Sequence, residues 1–384
     1  MFSADELLNT GNSYVGYAGY DYTGKALSKQ PTIDDFFTAK DQYGNFIRSI
    51  GAYEPIYMAG YIQDKFAFKD LIFNVGLRVD RFDANQSVLK DQYSLYETRT
   101  AGEVKTIGGS AVTHPSNIGS DYVVYVNQLK DPTQILGYRS GSNWYNAQGI
   151  QITDPNLIAS STGVLPYLVN PDNTVINSKA FKDYTPQVTY MPRISFSFPI
   201  SDEALFFAHY DVMSKRPTSG AGLSLTDYLF IQNRTNVISN PDLKPEQTRE
   251  YELGFQQKLT NTSSIKISTY YREMRNMSQQ VRIYGAYPAQ YTTYGNIDFG
   301  TVKGFTFSYD KRRTKNLWLK ANYTMQFADG TGSNAASAAS LIATGQPNLR
   351  TTNPLNYDRR HNISIVVDYR FDGGKDYNGP TWTR

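Results

Sequence analysis

The chain lacks cysteine altogether, holds only three histidines, shows no prevailing sign of charge and contains no long hydrophobic run. Without cysteine there is no disulfide framework and no thiolate to attack a substrate or hold zinc or an iron–sulfur cluster. His114, His209 and His361 stand far apart in sequence. They make no ligand spacing, so no metal and no cofactor is expected. The 38 basic and 35 acidic side chains leave a net charge of +3 over 384 residues, too weak to nominate nucleic acid as a partner. The longest apolar stretches, residues 122–126 and 363–367, fall far short of the roughly 18 residues of a membrane helix. Also missing are a phosphate loop ending in Gly-Lys-Ser/Thr and a Gly-x-Ser-x-Gly elbow, so no catalytic residue is expected.

What the chain has in abundance is aromatic residues, 31 Tyr and 20 Phe, against a polar mean hydropathy of −0.49. Aromatic residues with Thr and Val favour strands. The cleanest pattern spans residues 71–80, where Leu71, Phe73, Val75, Leu77 and Val79 alternate with a mostly polar set. Side chains of a strand leave on alternate faces, so this segment has one greasy face and one wet face. The same period recurs in residues 193–200, 250–259, 265–272, 317–327 and 362–371. With residues 57–68, 204–212 and 300–310, nine strands are expected. Several run to nine or more residues, the length of a tilted membrane strand rather than of a typical soluble one.

The connections alternate strictly in length. Residues 69–70, 201–203, 260–263 and 311–316 are tight polar turns, whereas residues 81–192, 213–247, 274–299 and 328–360 are long. The first long segment is expected to hold hairpins of its own around residues 122–126. Such asymmetry belongs to barrels with tight periplasmic turns on one rim and long external loops on the other. The fold expected is therefore an all-β antiparallel transmembrane β-barrel with long extracellular loops, set in outer-membrane lipid.

Asn240-Pro241-Asp242-Leu243-Lys244-Pro245-Glu246 followed by Tyr251-Glu252-Leu253-Gly254-Phe255 resembles the "NPdLkPE…yElG" segment of TonB-dependent outer-membrane receptors. Tyr61-Ile62-Gln63-Asp64, Gly76-Leu77-Arg78-Val79-Asp80 and Pro192-Arg193-Ile194-Ser195 are similar to other strands of those barrels. Tyr357-Asp358-Arg359-Arg360-His361 and Gly374-Lys375-Asp376-Tyr377-Asn378-Gly379-Pro380 look most like its Oar-like branch. The resemblance implies a Gram-negative outer membrane, a barrel of about 22 strands around a plug, and import powered through TonB. On that plan, residues 1–384 are expected to be part of one barrel. Residues 1–12 should run straight into barrel sequence, with signal peptide, plug, TonB-contacting segment and about thirteen strands outside the chain.

Within that frame Arg78, Asp80, Glu250, Glu252, Asp368 and Arg370 are expected on the lumen face, as solvated groups paired across neighbouring strands or as the lining of a substrate path. Glu250 and Glu252 at i, i+2 also have the look of a glycosidase pair, a reading that lacks a cleft. Tyr284, Tyr287, Tyr291 and Tyr294 are candidates to stack on a substrate, with an aromatic girdle at headgroup level as the alternative. Two further functions stay open beside import: an Oar-like scaffold or adhesin docking envelope proteins, and a soluble all-β binding domain. No motif selects a cargo.

Overall fold

In the computed structural model, which describes residues 4–8, 16–21, 23–218, 220–346 and 348–383, all nine expected strands are present and pair in sequence order. They are β1 (Ile56–Phe68), β2 (Leu71–Asp83), β3 (Gln187–Ser201), β4 (Ala204–Lys215), β5 (Glu246–Thr260), β6 (Ser263–Ile283), β7 (Tyr291–Thr314), β8 (Leu317–Gly330) and β9 (His361–Tyr369). Every neighbour pair is antiparallel, and a two-residue strand, Asn353–Pro354, joins the outer end of β8. The sheet is open, with β1 and β9 at its two edges.

Register carries the alternation of each strand into continuous rows. Phe66, Phe73, Phe196 and Ala208 lie side by side across β1 to β4, Tyr210, Tyr251 and Tyr271 across β4 to β6, and Ile267, Phe307, Tyr323 and Ile363 across β6 to β9. One row on the opposite face reads Asn74, Ser195, His209, Glu252, Tyr270, Gly304 and Gln326. On the greasy face large side chains stand open among the described residues: Leu253, Ile363 and Ile365 are 53%, 68% and 62% exposed. Phe73 and Phe196 touch each other sideways, with ring centroids 5.9 Å apart, rather than across a core. A ten-residue step from Leu317 to Phe327 on β8 spans about 33 Å along the strand, or roughly 23 Å of height at ~45° tilt. That height matches the ~25 Å apolar band of an outer-membrane barrel. Among the described residues no helix is long and apolar enough to cross a membrane.

On the polar face two glycines make room for rings. A β-carbon at Gly254 would collide with the ring of Phe207, over which Lys266 Nζ sits at 4.5 Å, and one at Gly304 would collide with Tyr270. At one rim the reversals are tight, with Lys69 and Lys315 in the left-handed region at φ 54° and 55°.

Two features of the chain differ from the sequence reading, and a third fills out what it expected. Residues 274–299 are not a long loop. β6 continues to Ile283 and β7 begins at Tyr291, so the pair reaches 21 and 24 residues, about twice what crosses a bilayer. Polar residues build this extension, and neighbours satisfy them: the fully buried Gln279 donates to Asp298 Oδ2 at 2.9 Å and to Asn334 O at 3.2 Å, and Ile238 N–H donates to Thr292 O at 2.8 Å. An apolar alternation is absent because lipid is absent.

The opening stretch does not run directly into barrel sequence either. Ala4–Leu8 is a short helix, residues 1–3 and 9–12 lie outside the described residues, and the first long strand starts only at Ile56. Before it, a helix at Ile33–Thr38, capped by reciprocal Thr32 and Asp35 bonds, buries Phe36 and Phe37. These join Phe181, Tyr228, Ile283 and Tyr291 in one core. Adjacent apolar residues suit a helix face, not a strand.

Residues 84–186 hold a second sheet, and its flanks, through Leu95, Ile176 and Phe181, join the core of the rim. A five-stranded sheet in the order Leu165–Pro166, Val123–Val126, Ile135–Ser140, Asn143–Asn146, Gln151–Ile152 contains the hairpin expected near residues 122–126. Its two sides are packed by Val124, Val126 and Tyr138 and by Tyr125, Trp144 and Ile158.

The two faces respond oppositely to charge. Phe307→Arg, in the greasy band, is expected to lower stability by about 2–4 kcal/mol, while Thr306→Arg on the polar face stays near zero. Urea titration of the protein folded in lipid vesicles measures both, and equal losses would place protein rather than lipid against Phe307.

Candidate functional site

Two places gather polar and aromatic groups: the wet face of the sheet and a cavity beneath the external body. On the wet face, register puts Glu250 between Asp211 and Arg272 and Glu252 between His209 and Tyr270, whereas Arg78 stands between Tyr61 and Met191, Asp80 between Ala59 and Thr189, and Asp368 opposite Trp318; Arg370 follows directly after β9. Arg78 Nε lies 2.7 Å from Asp80 Oδ1, and Tyr57 donates its hydroxyl proton to the same carboxylate. Glu250 accepts from Arg272 Nη2 at 2.8 Å, whereas Glu252 faces His209 Nδ1 at 3.4 Å. Arg193 Nε meets Asp211 at 3.0 Å. Each carboxylate of the Glu250/Glu252 pair therefore has its own basic neighbour, an arrangement unlike a cooperating acid and base. Asp368 pairs with Arg313 and, at 3.4 Å, with Arg370. Register sets Glu250 and Glu252 level with Gly76 and Asn74 of β2, inward of Arg78 and Asp80, and Asp368 with Arg370 lies apart at the tight-turn rim.

The cavity, of about 800 Å³, lies between residues 89–98, the inserted sheet, residues 179–182 and 240–242, and the outer end of β7. Its most constrained group is Arg139. The guanidinium is ion-paired with Asp91, donates to Tyr125 Oη at 2.8 Å and Gly141 O at 2.9 Å, and sits 4.7 Å from the Tyr93 ring centroid. An arginine whose planar fork is held on four sides is a rigid donor and a flat cationic surface. The strand–loop junction is stitched by backbone bonds, Leu95 N–H to Tyr287 O at 3.2 Å and Tyr287 N–H to Tyr93 O at 3.0 Å. Burial pushes the Tyr96 phenol up to about 12 and raises that of Tyr93 against the opposing charge of Arg139, so both remain neutral hydrogen-bond donors at physiological pH. Asp242 also faces the cavity. Desolvation raises its carboxyl above the ordinary value of 3.8, partly offset by Lys182 and Lys244.

The four tyrosines singled out in the sequence do not form one surface. Tyr291 lines the cavity as a buried wall, its hydroxyl donating to Gln92 O at 2.9 Å. Tyr287 stacks edge-on against Tyr96 with centroids 5.8 Å apart, and the Tyr294 ring lies over Gly220. Tyr284 is 38% exposed. Thirteen residues separate Tyr271, in the tyrosine row of the greasy face, from Tyr284. That is roughly 30 Å of height at ~45° tilt, too far above the band for a headgroup girdle. Asp91, Tyr93 and Tyr96 escape sequence reasoning because they lie in an irregular segment with no spacing to read, and Arg139 because its short strand, Ile135–Ser140, shows no apolar alternation.

Among known proteins, the family model described as "TonB dependent receptor-like, beta-barrel" matches residues 2–384. No curated protein is a match. Of the solved structures, the alcaligin outer-membrane receptor FauA from Bordetella pertussis is 12% identical over 84% of this chain and 35% of its own length, with a TM-score of 0.39. A Serratia marcescens hemophore receptor HasR, in complex with its hemophore HasA and heme, is 12% identical over 83% of this chain and 40% of that one, with a TM-score of 0.40. The FrpB iron transporter from Neisseria meningitidis is 12% identical over 72% and 27%, with a TM-score of 0.35. The chain thus spans about a quarter to two fifths of these proteins.

Two outcomes check the cavity chemistry. Arg139→Ala strands Asp91 without its cation and is expected to cost about 3–5 kcal/mol, seen as early proteolysis within residues 84–186. For Asp242→Asn the sign follows from the raised carboxyl. The wild type carries the desolvated charge only above its folded-state value, so the variant melts with the wild type below pH 3.8 and above it as pH rises. Thermal unfolding across pH measures the divergence.

Proposed function

Because the chain belongs to the TonB dependent receptor-like β-barrel family, whose model covers residues 2–384, we propose that it is the substrate-catching part of an importer in a Gram-negative outer membrane. The observation that carries this reading is the 800 Å³ cavity set under the external body and against the outer end of β7. It combines a fixed guanidinium, neutral tyrosine hydroxyls and the carboxylate of Asp242, which together suit a polar ligand with flat or cyclic parts. Residues 1–384 form part of one barrel on this reading. Edge strands β1 and β9 cannot face hydrocarbon with free backbone groups, so further strands complete a barrel of about 22 around a plug that answers to TonB. Arg78, Asp80, Glu250, Glu252, Asp368 and Arg370 then line the lumen, holding a charged wall for plug and solvent. Of the tyrosines, Tyr291 is assigned a ligand contact, with Tyr287 steadying Tyr96 behind it. No step in this scheme is catalytic.

A second reading draws on the inserted sheet of residues 84–186, which has packed cores of its own. As a rigid platform it suits docking of another envelope protein, the Oar-like scaffold role.

Depletion of culture medium separates the two. Ser94, buried in the cavity wall, becomes an obstruction as Ser94→Trp. Import predicts a compound that wild-type cells remove, and that cells bearing the obstructed protein, the gene deletion or a protonophore all leave behind. Identical media from all four, with a stable envelope complex lost only on removing residues 84–186, establish the platform instead.

A further inference from the structure

We propose that the tight-turn end of the β7–β8 hairpin binds the phosphate headgroup of an anionic phospholipid in the periplasmic leaflet. Residues 311–315 read Lys-Arg-Arg-Thr-Lys. The carboxylates of the two strands paired there are already engaged, Asp368 by Arg313 and Asp310 by Lys320 at 3.7 Å, and Asp372 beyond β9 is held by Asn378 Nδ2 at 3.1 Å. Lys311, Arg312 and Lys315 make no ion pair among the described residues. Arg312 and Lys315 are exposed, and Lys315 sits at the apex with φ 55°.

Position decides the partner. Register sets Lys311 opposite Ser263 and Leu319, on the greasy face two residues beyond Tyr309, and Val367 stands next to Leu319 in the same row. The cations therefore begin where the apolar band ends, so one molecule meets both, with acyl chains on Leu319 and Val367 and its phosphate among the three cations. An acidic protein in the aqueous periplasm would reach Arg312 and Lys315, but Lys311 only by lying against the apolar strip. The other tight turns lack this charge: residues 69–70 are Lys-Asp and residues 202–203 are Asp-Glu. One sector of the rim is basic, not the whole ring.

The test uses the intact outer-membrane protein placed in nanodiscs of phosphatidylethanolamine with a minority of phosphatidylglycerol, and native mass spectrometry of the lipid it retains. Wild type is expected to keep phosphatidylglycerol preferentially, with the preference weakening as sodium chloride rises. The combined variant Lys311→Gln, Arg312→Gln, Lys315→Gln is expected to lose it by about fivefold per cation removed, while Lys69→Gln changes nothing. A wild type indifferent to headgroup charge or unaffected by salt, a combined variant that retains the preference, or an equal loss from Lys69→Gln each overturns the site. The salt series needs only wild-type protein, so the site stands or falls on it even where the variant inserts poorly.

Discussion

A sheet that meets hydrocarbon on one side and water on the other must satisfy every backbone group within itself and sort its side chains strictly by face. Each feature of the membrane part follows from that demand. It explains why Phe66 to Ala208 and Ile267 to Ile363 fall into unbroken rows, and why Asn74, Ser195, His209 and Glu252 fall into the opposite one. The apolar rows stay exposed in the folded chain, 53% for Leu253 and 62% for Ile365. In a soluble sandwich that exposure would be a severe loss of burial at about 25 cal/mol per Å². Against lipid it costs nothing of the kind.

Outside the bilayer the demand lapses, and other physics takes over. β6 and β7 continue as strands because protein neighbours, not lipid, flank them there. Their outer parts accept Ser, Gln and Thr wherever a partner supplies a hydrogen bond. The cavity belongs to this upper storey, so its walls rest on a conventional aqueous core of Phe36, Tyr228, Ile283 and Tyr291 rather than on the membrane part of the sheet.

This division marks what the residues reveal when read in order. Period-two apolar rows announce nine strands and which face of each is greasy, since lipid imposes one requirement on all of them. The polar-face positions of Arg78, Asp80, Glu250, Glu252 and Asp368 are legible for the same reason, as the complement of those rows. By contrast, residues 278–283 and 291–299 look like loop because their alternation is between polar groups. Phe36 and Phe37 give no hint that they bury themselves beside Tyr291, some 250 residues away. Arg139 is equally silent: its fixed position depends on Tyr125 of the neighbouring strand and on Asp91 and Tyr93 of an irregular segment some 50 residues earlier, brought together by tertiary contact.

The shared core at the outer rim has a consequence for divergence. In a barrel whose loops are each anchored by a single hairpin, one loop is free to drift under pressure from phage or antibody while its neighbours stay fixed. Here the helix at residues 33–38, the inserted body, residues 225–231 and the β6–β7 extension all place side chains in one cluster. A change of volume at Phe36 is felt by all four, so their inward residues are bound to change together, and antigenic novelty is confined to the skin above them.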